Sequence, residues 1–339
     1  MNAQANRSWI RRARQGLVAA SGDFGGHAIA RSLTRAVPRI LMYHRFSPRP
    51  GWRTTELATF EQHLRYLQRH GRIVSLDAAV AGFKASGAFD PTEVVITIDD
   101  AYADFHELAL PLLERLQVPA TLYVPTDFID GKEWLWPDKL LWLVRSSDRD
   151  AIEFRALHRL SLATLPQRRA SWNTLADALL EMNTEDRNAA FEELEQALGV
   201  VAPRQPTSDY SPMTWDQVRD AARRGVTIGS QATAHVPMAR ETYERQLELA
   251  AQSKQRLEAE LGGSVRHYSY PHGRACDFDQ HGIDAARAAG FETSVAAIPQ
   301  GARSADLLFA MPRLSPPQQT DDLRAKMRGL AYLRDWAGA

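Results

Sequence analysis

Two adjacent acidic residues are the most informative chemical feature of the sequence. Asp99 and Asp100 follow the run 94–98, which is almost entirely β-branched, as expected of a strand buried on both faces of a sheet. Carboxylates this close raise the pKa of at least one of the pair unless a cation separates their charges. A metal ion bound by one aspartate would leave the other to act as a base, whereas capping of the following helix is an equally good explanation.

Further candidate residues follow other predicted strands. They are His44 after the first strand, Gln231 and His235 after the fifth, Tyr270, Pro271 and His272 after the sixth, and Arg313 after the last. In a parallel α/β barrel such groups gather at the C-terminal ends of the strands. Imidazole and carboxylate suit zinc, which in catalytic sites takes three protein ligands and a water molecule whose pKa falls to about 7. The set therefore predicts chemistry by a metal-activated water.

These groups need a parallel sheet to bring them together, and the sequence predicts one. Short β-type runs alternate with helical patterns, which is typical of βα units. The runs cover residues 39–46, 72–76, 94–98, 120–124, 226–230, 266–270, 293–297 and 308–311. Seven or eight such units favour a closed barrel over an open sheet.

Several helix ends are also predicted. Thr59 is expected to cap the first helix and Gly71 to end it. Thr214 and Gln217 form a capping box for a later helix. A long helix is predicted over residues 243–261, ending at a pair of glycines.

The alternation of strands and helices stops between about residues 130 and 212. The pattern there is helical, with Thr184 as the cap of a helix that carries Phe191 and Leu194. We expect an insertion packed on the barrel, not a separate catalytic unit. Its early aromatic residues include Trp136. Aromatic faces suit sugar stacking, but packing against the barrel is their commoner use.

Composition narrows the functional classes. The chain has 339 residues, 41 Lys and Arg, 41 Asp and Glu, 44% apolar residues and a single cysteine. The apolar fraction excludes a disordered chain, and the lone Cys276 excludes disulfide frameworks and multi-cysteine metal sites. Zero net charge excludes the overall basic character of a nucleic-acid-binding protein. With neither a membrane-spanning apolar run nor a secretory signal in the sequence, the expected location is the cytoplasm.

The charge is unevenly distributed along the chain. Residues 1–39 contain seven arginines and one aspartate, a net charge of +6, so the remaining residues carry −6. The segment 7–37 could form a basic amphipathic helix that rests on an anionic membrane, which would place the protein at the inner membrane face. A solvated N-terminal extension is the simpler alternative.

Five short motifs occur in order along the chain. They are residues 42–45 (MYHR), 97–102 (TIDDAY), 228–235 (IGSQATAH), 268–273 (YSYPHG) and 311–314 (MPRL). Together they resemble the motifs of polysaccharide deacetylases with a NodB homology domain (carbohydrate esterase family 4), in particular the exopolysaccharide branch. The resemblance implies a distorted (β/α)7-type barrel and metal-dependent removal of acetyl groups from sugars. The expected division is a basic extension (1–38), the barrel (39–129 and 211–316), a helical insertion (130–210) and a C-terminal helix (317–339).

The resemblance also implies roles for individual residues. Asp99 would be the general base, and Asp100 and His235 would be metal ligands. The backbone N–H near Tyr270 would face the oxyanion. Arg313 would orient Asp99 or bind substrate, with a buried salt bridge as the alternative. Further substrate contacts are expected from His44, Tyr102, Pro271, His272 and Trp136.

Several positions depart from the family pattern. Gln231 stands where the family has another histidine ligand, and an amide oxygen is a poorer zinc ligand than imidazole. Ala101 replaces a glycine, which is unfavourable if the backbone there needs a positive φ, and Ala232 replaces a small hydroxyl residue. The histidine that commonly serves as catalytic acid near the last strand is missing. His44 or His272 could substitute, although a structural role is the commoner one for each.

Two functions are therefore compared. The first is a metal-dependent hydrolase that removes acetyl groups from a surface polysaccharide or its lipid-linked precursor. Zinc is the expected metal, with cobalt or nickel as alternatives, and Gln231 would be a third, weaker ligand. The second is a degenerate homologue that binds glycan or a biosynthetic partner without metal. Neither involves nucleic acid.

Overall fold

The computed structural model describes residues 37–298, 307–317 and 320–327. Its strands, in chain order, are β1 (Ile40–Tyr43), β2 (Phe46–Ser47), β3 (Thr55–Glu56), β4 (Arg72–Ile73), β5 (Glu93–Ile98), β6 (Thr121–Val124), β7 (Ala151–Phe154), β8 (Leu157–Ser161), β9 (Thr227–Ser230), β10 (His267–Ser269), β11 (Thr293–Ala296) and β12 (Met311–Pro312). The main sheet has the spatial order β1, β5, β6, β9, β10, β11, β12, and β4 pairs with the start of β5. All of these pairings are parallel.

Helices connect and cover the strands. They are α1 (Leu57–His70), α2 (Leu76–Ser86), α3 (Leu110–Arg115), α4 (Thr126–Ile129), α5 (Trp136–Ser146), α6 (Leu165–Leu180), α7 (Thr184–Leu198), α8 (Trp215–Arg223), α9 (Tyr243–Leu261), α10 (Gln280–Ala288) and α11 (Thr320–Met327). A π-helical turn, Phe105–Ala109, precedes α3. The predicted capping box of Thr214 and Gln217 is present at α8. Helix α9 has its predicted bounds and ends at Gly262, whose φ of 67° suits a residue without a Cβ.

The sheet nearly closes into a barrel. The Leu314 N–H donates to the Ile40 carbonyl at 2.9 Å, and the Met42 N–H donates to the Leu314 carbonyl at 3.0 Å, so the segment after β12 returns to β1. The parallel register places Tyr43 of β1 beside Ile98 of β5 and brings the C-terminal strand ends to one rim. The predicted distorted (β/α)7-type barrel is confirmed.

An apolar core holds the helices against the sheet and fixes the rim. Phe60 and Leu64 of α1 are fully buried, as are Ile96 and Ile98 of β5 and Leu122 of β6. Complete burial of such a side chain stabilises the fold by about 1.5–3 kcal/mol. The residues that follow Ile98 are therefore carried on a rigid strand.

Some predicted boundaries were wrong. Helix α1 begins at Leu57, two residues before the predicted cap Thr59, because β3 delivers the chain into the helix directly and Glu56 occupies the cap position. Helix α7 is capped by Asn183, whose side chain accepts from the Asp186 N–H at 2.9 Å, so Thr184 is its first residue. Residues 308–311 form a 3-10 turn followed by the short strand β12.

The insertion contains a hairpin as well as the predicted helices. Strands β7 and β8 pair in an antiparallel manner around a turn at Arg155, which has a φ of 48°. This turn lacks the Asn-Gly or Asp-Gly pair by which hairpins are usually predicted. The insertion has its own buried core, which includes Trp134, Trp172, Leu175 and Phe191.

The two ends of the chain are described in part. Residues 7–36, most of the segment predicted to contact a membrane, lie outside the described residues. Helix α11 lies within the predicted C-terminal helix, and residues beyond 327 also lie outside. None of the described helices is both long enough and apolar enough to cross a membrane.

Candidate active site

The rim of the barrel brings together side chains that are far apart in sequence. Asp99 follows β5, Arg313 follows β12, and Ser269 ends β10. The Asp99 N–H donates to the Tyr43 carbonyl at 2.9 Å, which extends the pairing of β1 with β5 by one residue. The position of Asp99 is thus set by the sheet itself.

Asp99 forms a two-point salt bridge with Arg313. Nη1 of Arg313 donates to Oδ1 at 2.6 Å, and Nη2 donates to Oδ2 at 2.8 Å. Nη2 also donates to Ser269 Oγ at 3.0 Å, and Nη1 to Thr97 Oγ1 at 3.3 Å. Both charged side chains are almost completely buried. A buried ion pair persists only when such additional hydrogen bonds satisfy it, so Arg313 holds the Asp99 carboxylate in one orientation.

Asp100 is held by the amide of Gln231. The Asp100 N–H donates to Gln231 Oε1 at 3.0 Å, and Gln231 Nε2 donates to Asp100 Oδ1 at 3.0 Å. The opposite amide orientation would place an NH2 group against the backbone N–H and an oxygen against a carboxylate. Gln231 therefore holds Asp100, and its oxygen is engaged with the Asp100 backbone.

His235 lies beside the same carboxylate. Its Nε2 atom is 3.5 Å from Asp100 Oδ1. Burial lowers the pKa of His235, which favours the neutral imidazole, the form that binds metals. Nδ1 of His235 is buried and makes no hydrogen bond within the described part of the chain. The His235 backbone N–H donates to Glu133 Oε1 at 3.2 Å.

Asp100 and His235 fit a divalent cation as a pair of ligands. Donors that share one tetrahedral ion at bond lengths of about 2.0–2.1 Å stand about 3.3 Å apart, close to the 3.5 Å observed. A three-ligand site of the usual zinc type is not present, since no three His, Cys, Asp or Glu side chains among the described residues group around one point. The donor set therefore suits an ion that keeps water or substrate in its other positions.

The loops that carry these residues have left-handed backbone conformations. Asp100, Ala101, Ala232 and His272 have φ values of 74°, 50°, 63° and 59°. Each such non-glycine residue costs roughly 1–2 kcal/mol. The expectation that Ala101 occupies a position suited to glycine agrees with its φ. Strain of this kind is common where a fold positions functional groups.

Comparison with known proteins decides the family. The family profile described as polysaccharide deacetylase matches residues 86–294, more than half of the chain. This protein belongs to the polysaccharide deacetylase family. Membership supports carbohydrate deacetylation as its activity. Among curated proteins, no significant sequence match was found.

Solved structures share the fold of this chain. The deacetylase PplD of Streptococcus pyogenes, solved with acetate, is 16% identical with a TM-score of 0.54, over 85% of this chain and 97% of that one. IcaB of Ammonifex degensii is 15% identical with a TM-score of 0.53, over 87% and 97%. A de-N-acetylase of Aggregatibacter actinomycetemcomitans is 14% identical with a TM-score of 0.52, over 85% and 98%. At these identities the likeness shows the NodB-type fold alone.

Besides the contact of Glu133 with His235, the insertion touches the motif loops at Tyr102 and His272. The Tyr102 hydroxyl donates to Asp138 Oδ2 in the first turn of α5. The Trp136 indole N–H donates to His272 Nε2 at 3.0 Å. Burial raises the pKa of Asp138 and lowers that of His272 well below its usual value. Trp136 therefore contacts a motif residue, and it is largely buried within the insertion.

Tyr270 and Pro271, the second of them a predicted substrate contact, are both buried. Tyr270 is fully buried, and its hydroxyl donates to the Phe309 carbonyl at 2.9 Å. Its backbone N–H, predicted to face the oxyanion, donates to the Val295 carbonyl at 3.3 Å. Pro271 is also buried. The structure thus gives Tyr270 a place in the sheet and the core.

A cavity of about 550 Å³ opens beside Asp100. His44 and Tyr102 lie in its wall, as the sequence predicted for substrate contacts, but Trp52, Arg53 and Asp138 were missed. Trp52 and Arg53 follow a Pro-Gly pair, which is a sequence signal for a turn and carries no signal for binding. Asp138 follows a proline in the first turn of α5, where an acidic residue is ordinarily explained by the helix dipole.

Glu133 is a further residue that the sequence did not indicate. It opens the insertion and accepts the His235 N–H, and burial raises its pKa to about 7. No motif marks it, because its contact with His235 spans 102 residues. Glu133 therefore supports the loop that carries His235.

Proposed function

We propose that this protein is a metal-dependent hydrolase that removes acetyl groups from a glycan. The observation that carries the proposal is the arrangement at the rim, where the Asp99–Arg313 pair and the Asp100–His235 pair lie on adjacent residues of one strand end. Asp100 also lines the cavity, so a substrate bound there would lie beside its carboxylate.

Asp99 is the proposed base. It takes a proton from the water that attacks the acetyl carbon, while the bond from that carbon to the sugar nitrogen or oxygen breaks. Acetate is released, and the sugar amine or hydroxyl receives a proton. Arg313 acts by positioning, since its two hydrogen bonds aim the Asp99 carboxylate.

Asp100 and His235 are the proposed ligands of a divalent cation, with zinc first and cobalt or nickel as alternatives. When bound, the ion supplies polarisation of the acetyl carbonyl and a lower pKa for the attacking water. The protein's own contribution is to hold Asp100 through its two hydrogen bonds with Gln231 and to keep His235 neutral.

The proposed substrate is a surface polysaccharide or its lipid-linked precursor. Family membership supports an acetylated carbohydrate. A lipid-linked substrate would be consistent with the basic segment 7–37 contacting an anionic membrane at its inner face, which also remains a proposal.

A second candidate is a degenerate homologue that binds glycan without catalysis. One observation favours it: the oxygen of Gln231 is engaged with the Asp100 backbone, so only two candidate ligands, Asp100 and His235, converge in the described part of the chain. The buried and fully hydrogen-bonded Asp99 argues against it, because a binding protein has little use for a second carboxylate at this position.

The two candidates separate in one experiment on the purified full chain. Acetate release from acetylated glycans is measured with and without added zinc, cobalt or nickel, together with metal content. The deacetylase proposal expects metal-stimulated release that Asp99→Asn lowers about 100-fold or more. Asp216→Asn, which changes an aspartate with a 90% exposed side chain, is the matched control and is expected to keep full activity.

The same variants show which proposal fails. Metal binding with no acetate release from any glycan would support the degenerate homologue. Release that is equal in wild type and Asp99→Asn would remove Asp99 as the base. Absence of metal binding, with release unaffected by chelators, would overturn metal dependence.

A further inference from the structure

The cavity lining includes an aromatic residue that belongs to none of the motifs. Trp52, in the loop between β2 and β3, lines the cavity and is partly exposed. Its ring meets Trp172 of the insertion edge to face, with centroids 5.4 Å apart. The Arg169 guanidinium lies 5.2 Å from the Trp52 ring centre. The insertion therefore holds the indole of Trp52 at the cavity wall.

The support behind Trp52 is rigid. Trp172 is buried, and its indole N–H donates to the Pro137 carbonyl at 3.1 Å. Arg53 places its guanidinium 4.5 Å from the Trp172 ring centre and has a strained φ of 64°. A turn closed by the bridge between Gly51 and Thr54 carries Trp52 and Arg53. Backbone strain of this kind is common in turns that contact ligands, and this turn holds an aromatic ring at the cavity.

The lining of the same cavity also includes polar side chains. Asp100, Tyr102, Asp138 and His44 lie there, and Asp138 accepts the Tyr102 hydroxyl. The cavity volume of about 550 Å³ falls in the range of roughly 300–1,000 Å³ that holds ligands larger than a single acetyl group. A ligand that reaches Asp100 can therefore extend to Trp52.

We propose that Trp52 and Arg53, braced by the insertion, form a subsite for the sugar next to the one that loses its acetyl group. A pyranose ring has an apolar face of C–H groups that stacks on an indole, and its hydroxyls accept hydrogen bonds from a guanidinium. Trp52 supplies that indole and Arg53 that guanidinium. The subsite rests on the proposed deacetylase function, and it gives the insertion a role in choosing oligomeric over single-sugar substrates.

Binding to an array of acetylated oligosaccharides, neutral and acidic and one to six sugars long, tests the subsite. All proteins carry Asp99→Asn, so that bound glycans are not hydrolysed. The parent is expected to bind oligomers more tightly than the matching single sugars. Trp52→Ala should weaken oligomer binding about tenfold and leave single sugars unchanged, while Trp52→Phe keeps most of the affinity. Trp142→Ala, which removes a partly buried tryptophan of the insertion outside the cavity wall, is the control.

The outcomes are distinguishable. Equal oligomer binding by the parent and Trp52→Ala overturns the subsite, as does a parent that prefers no oligomer to its single sugar. Equal losses in Trp52→Ala and Trp142→Ala would assign the effect to the insertion's stability and also overturn it. If oligomer binding depends on Trp52 while the wild type releases no acetate, the subsite stands and the proposed deacetylase function fails.

Discussion

The two adjacent aspartates at the rim are held in opposite ways. Asp99 is enclosed by a charged partner, since Arg313 donates to both of its oxygens and is itself tied to Ser269 and Thr97. Asp100 is held by a neutral amide and stands beside a neutral imidazole. It also lines the cavity, whereas Asp99 does not.

The difference shows how a crowded acid pair is tolerated at a strand end. The guanidinium supplies the positive charge on the Asp99 side, so a bound metal ion is not the only way to separate the two charges. The Asp100 side, by contrast, lacks a full positive charge within hydrogen-bonding distance in the described residues. A cation bound beside Asp100 would give that carboxylate the positive partner that Arg313 gives to Asp99.

Removing the positive charge of Arg313 should have the largest effect on the stability of the protein. Arg313→Met leaves a buried carboxylate without its partner, and we expect a loss of about 3–5 kcal/mol in the free energy of unfolding. Urea denaturation measures it. The double variant Arg313→Met with Asp99→Leu removes both charges and should recover much of the loss. A single variant that loses less than about 1 kcal/mol would show that the pair does not stabilise this side.

Low pH should lower the free energy of unfolding through His63, which contacts Tyr43, the residue whose carbonyl accepts the Asp99 N–H. His63 is fully buried against the Tyr43 hydroxyl, with Nδ1 at 3.0 Å, and burial lowers its pKa to about 4. A histidine in the unfolded chain takes up a proton below about pH 6.5. The unfolded state therefore binds more protons between pH 6.5 and 4, and stability falls by up to about 3 kcal/mol as the pH falls through that window.

Urea midpoints of wild type and His63→Asn at pH 7.5, 6, 5 and 4.5 check this dependence. The variant lacks the titrating group, so its stability should fall less steeply over the same range. Parallel curves for the two proteins would contradict the assignment to His63.

A new ligand should strengthen the Asp100 side. Gln231→His restores an imidazole next to Asp100 and His235, and we expect zinc or cobalt to bind at least about tenfold more tightly by isothermal titration calorimetry, about 1.4 kcal/mol. Gln231→Ala removes the hydrogen bonds to Asp100 without adding a ligand, so its affinity should not rise. Unchanged affinity in Gln231→His would mean that residue 231 does not face the ion.

The smallest change in stability is expected from a substitution at Ala101, the residue after Asp100. Ala101→Gly relieves a left-handed φ, worth about 1 kcal/mol, and loses one buried methyl group, worth about 0.8 kcal/mol. The stability should therefore change by no more than about 0.5 kcal/mol. Ala109→Gly, at a buried residue with a φ of −82°, has no such relief and should lose more than 1 kcal/mol. Equal losses in a thermal melt would show that Ala101 is not strained.

Much of the fold could be predicted because its signals are local. The β-branched run before Asp99, the capping box at Thr214 and the glycine after α9 each specify their own element. The hairpin of the insertion was missed because the turn at Arg155 reaches a positive φ without glycine or asparagine. The start of α1 was missed because the pairing of β2 with β3, not a side-chain cap, determines it.

Residues of the candidate site could be predicted where a motif marks the end of a strand. Contacts between residues far apart in the sequence could not. Asp99, Asp100 and His235 are brought together as expected, although their roles remain predictions. The bond between Gln231 and Asp100 could not be foreseen, since a glutamine in a ligand position suggests coordination and not support of a neighbouring backbone. Asp138 was missed because only packing of the insertion brings it to Tyr102.

The insertion contacts the motif loops through Asp138, which meets Tyr102, and through Trp136, which meets His272. These contacts limit how the chain could be shortened. Together with the contact of Glu133 with His235, they attach the insertion to three separate motif loops, so excising it would remove support from all three at once. Its loss would leave the Tyr102 hydroxyl and the His272 imidazole without these partners beside the rim. The insertion is therefore a structural part of the candidate active site, and a barrel transferred without it would not keep the same site geometry.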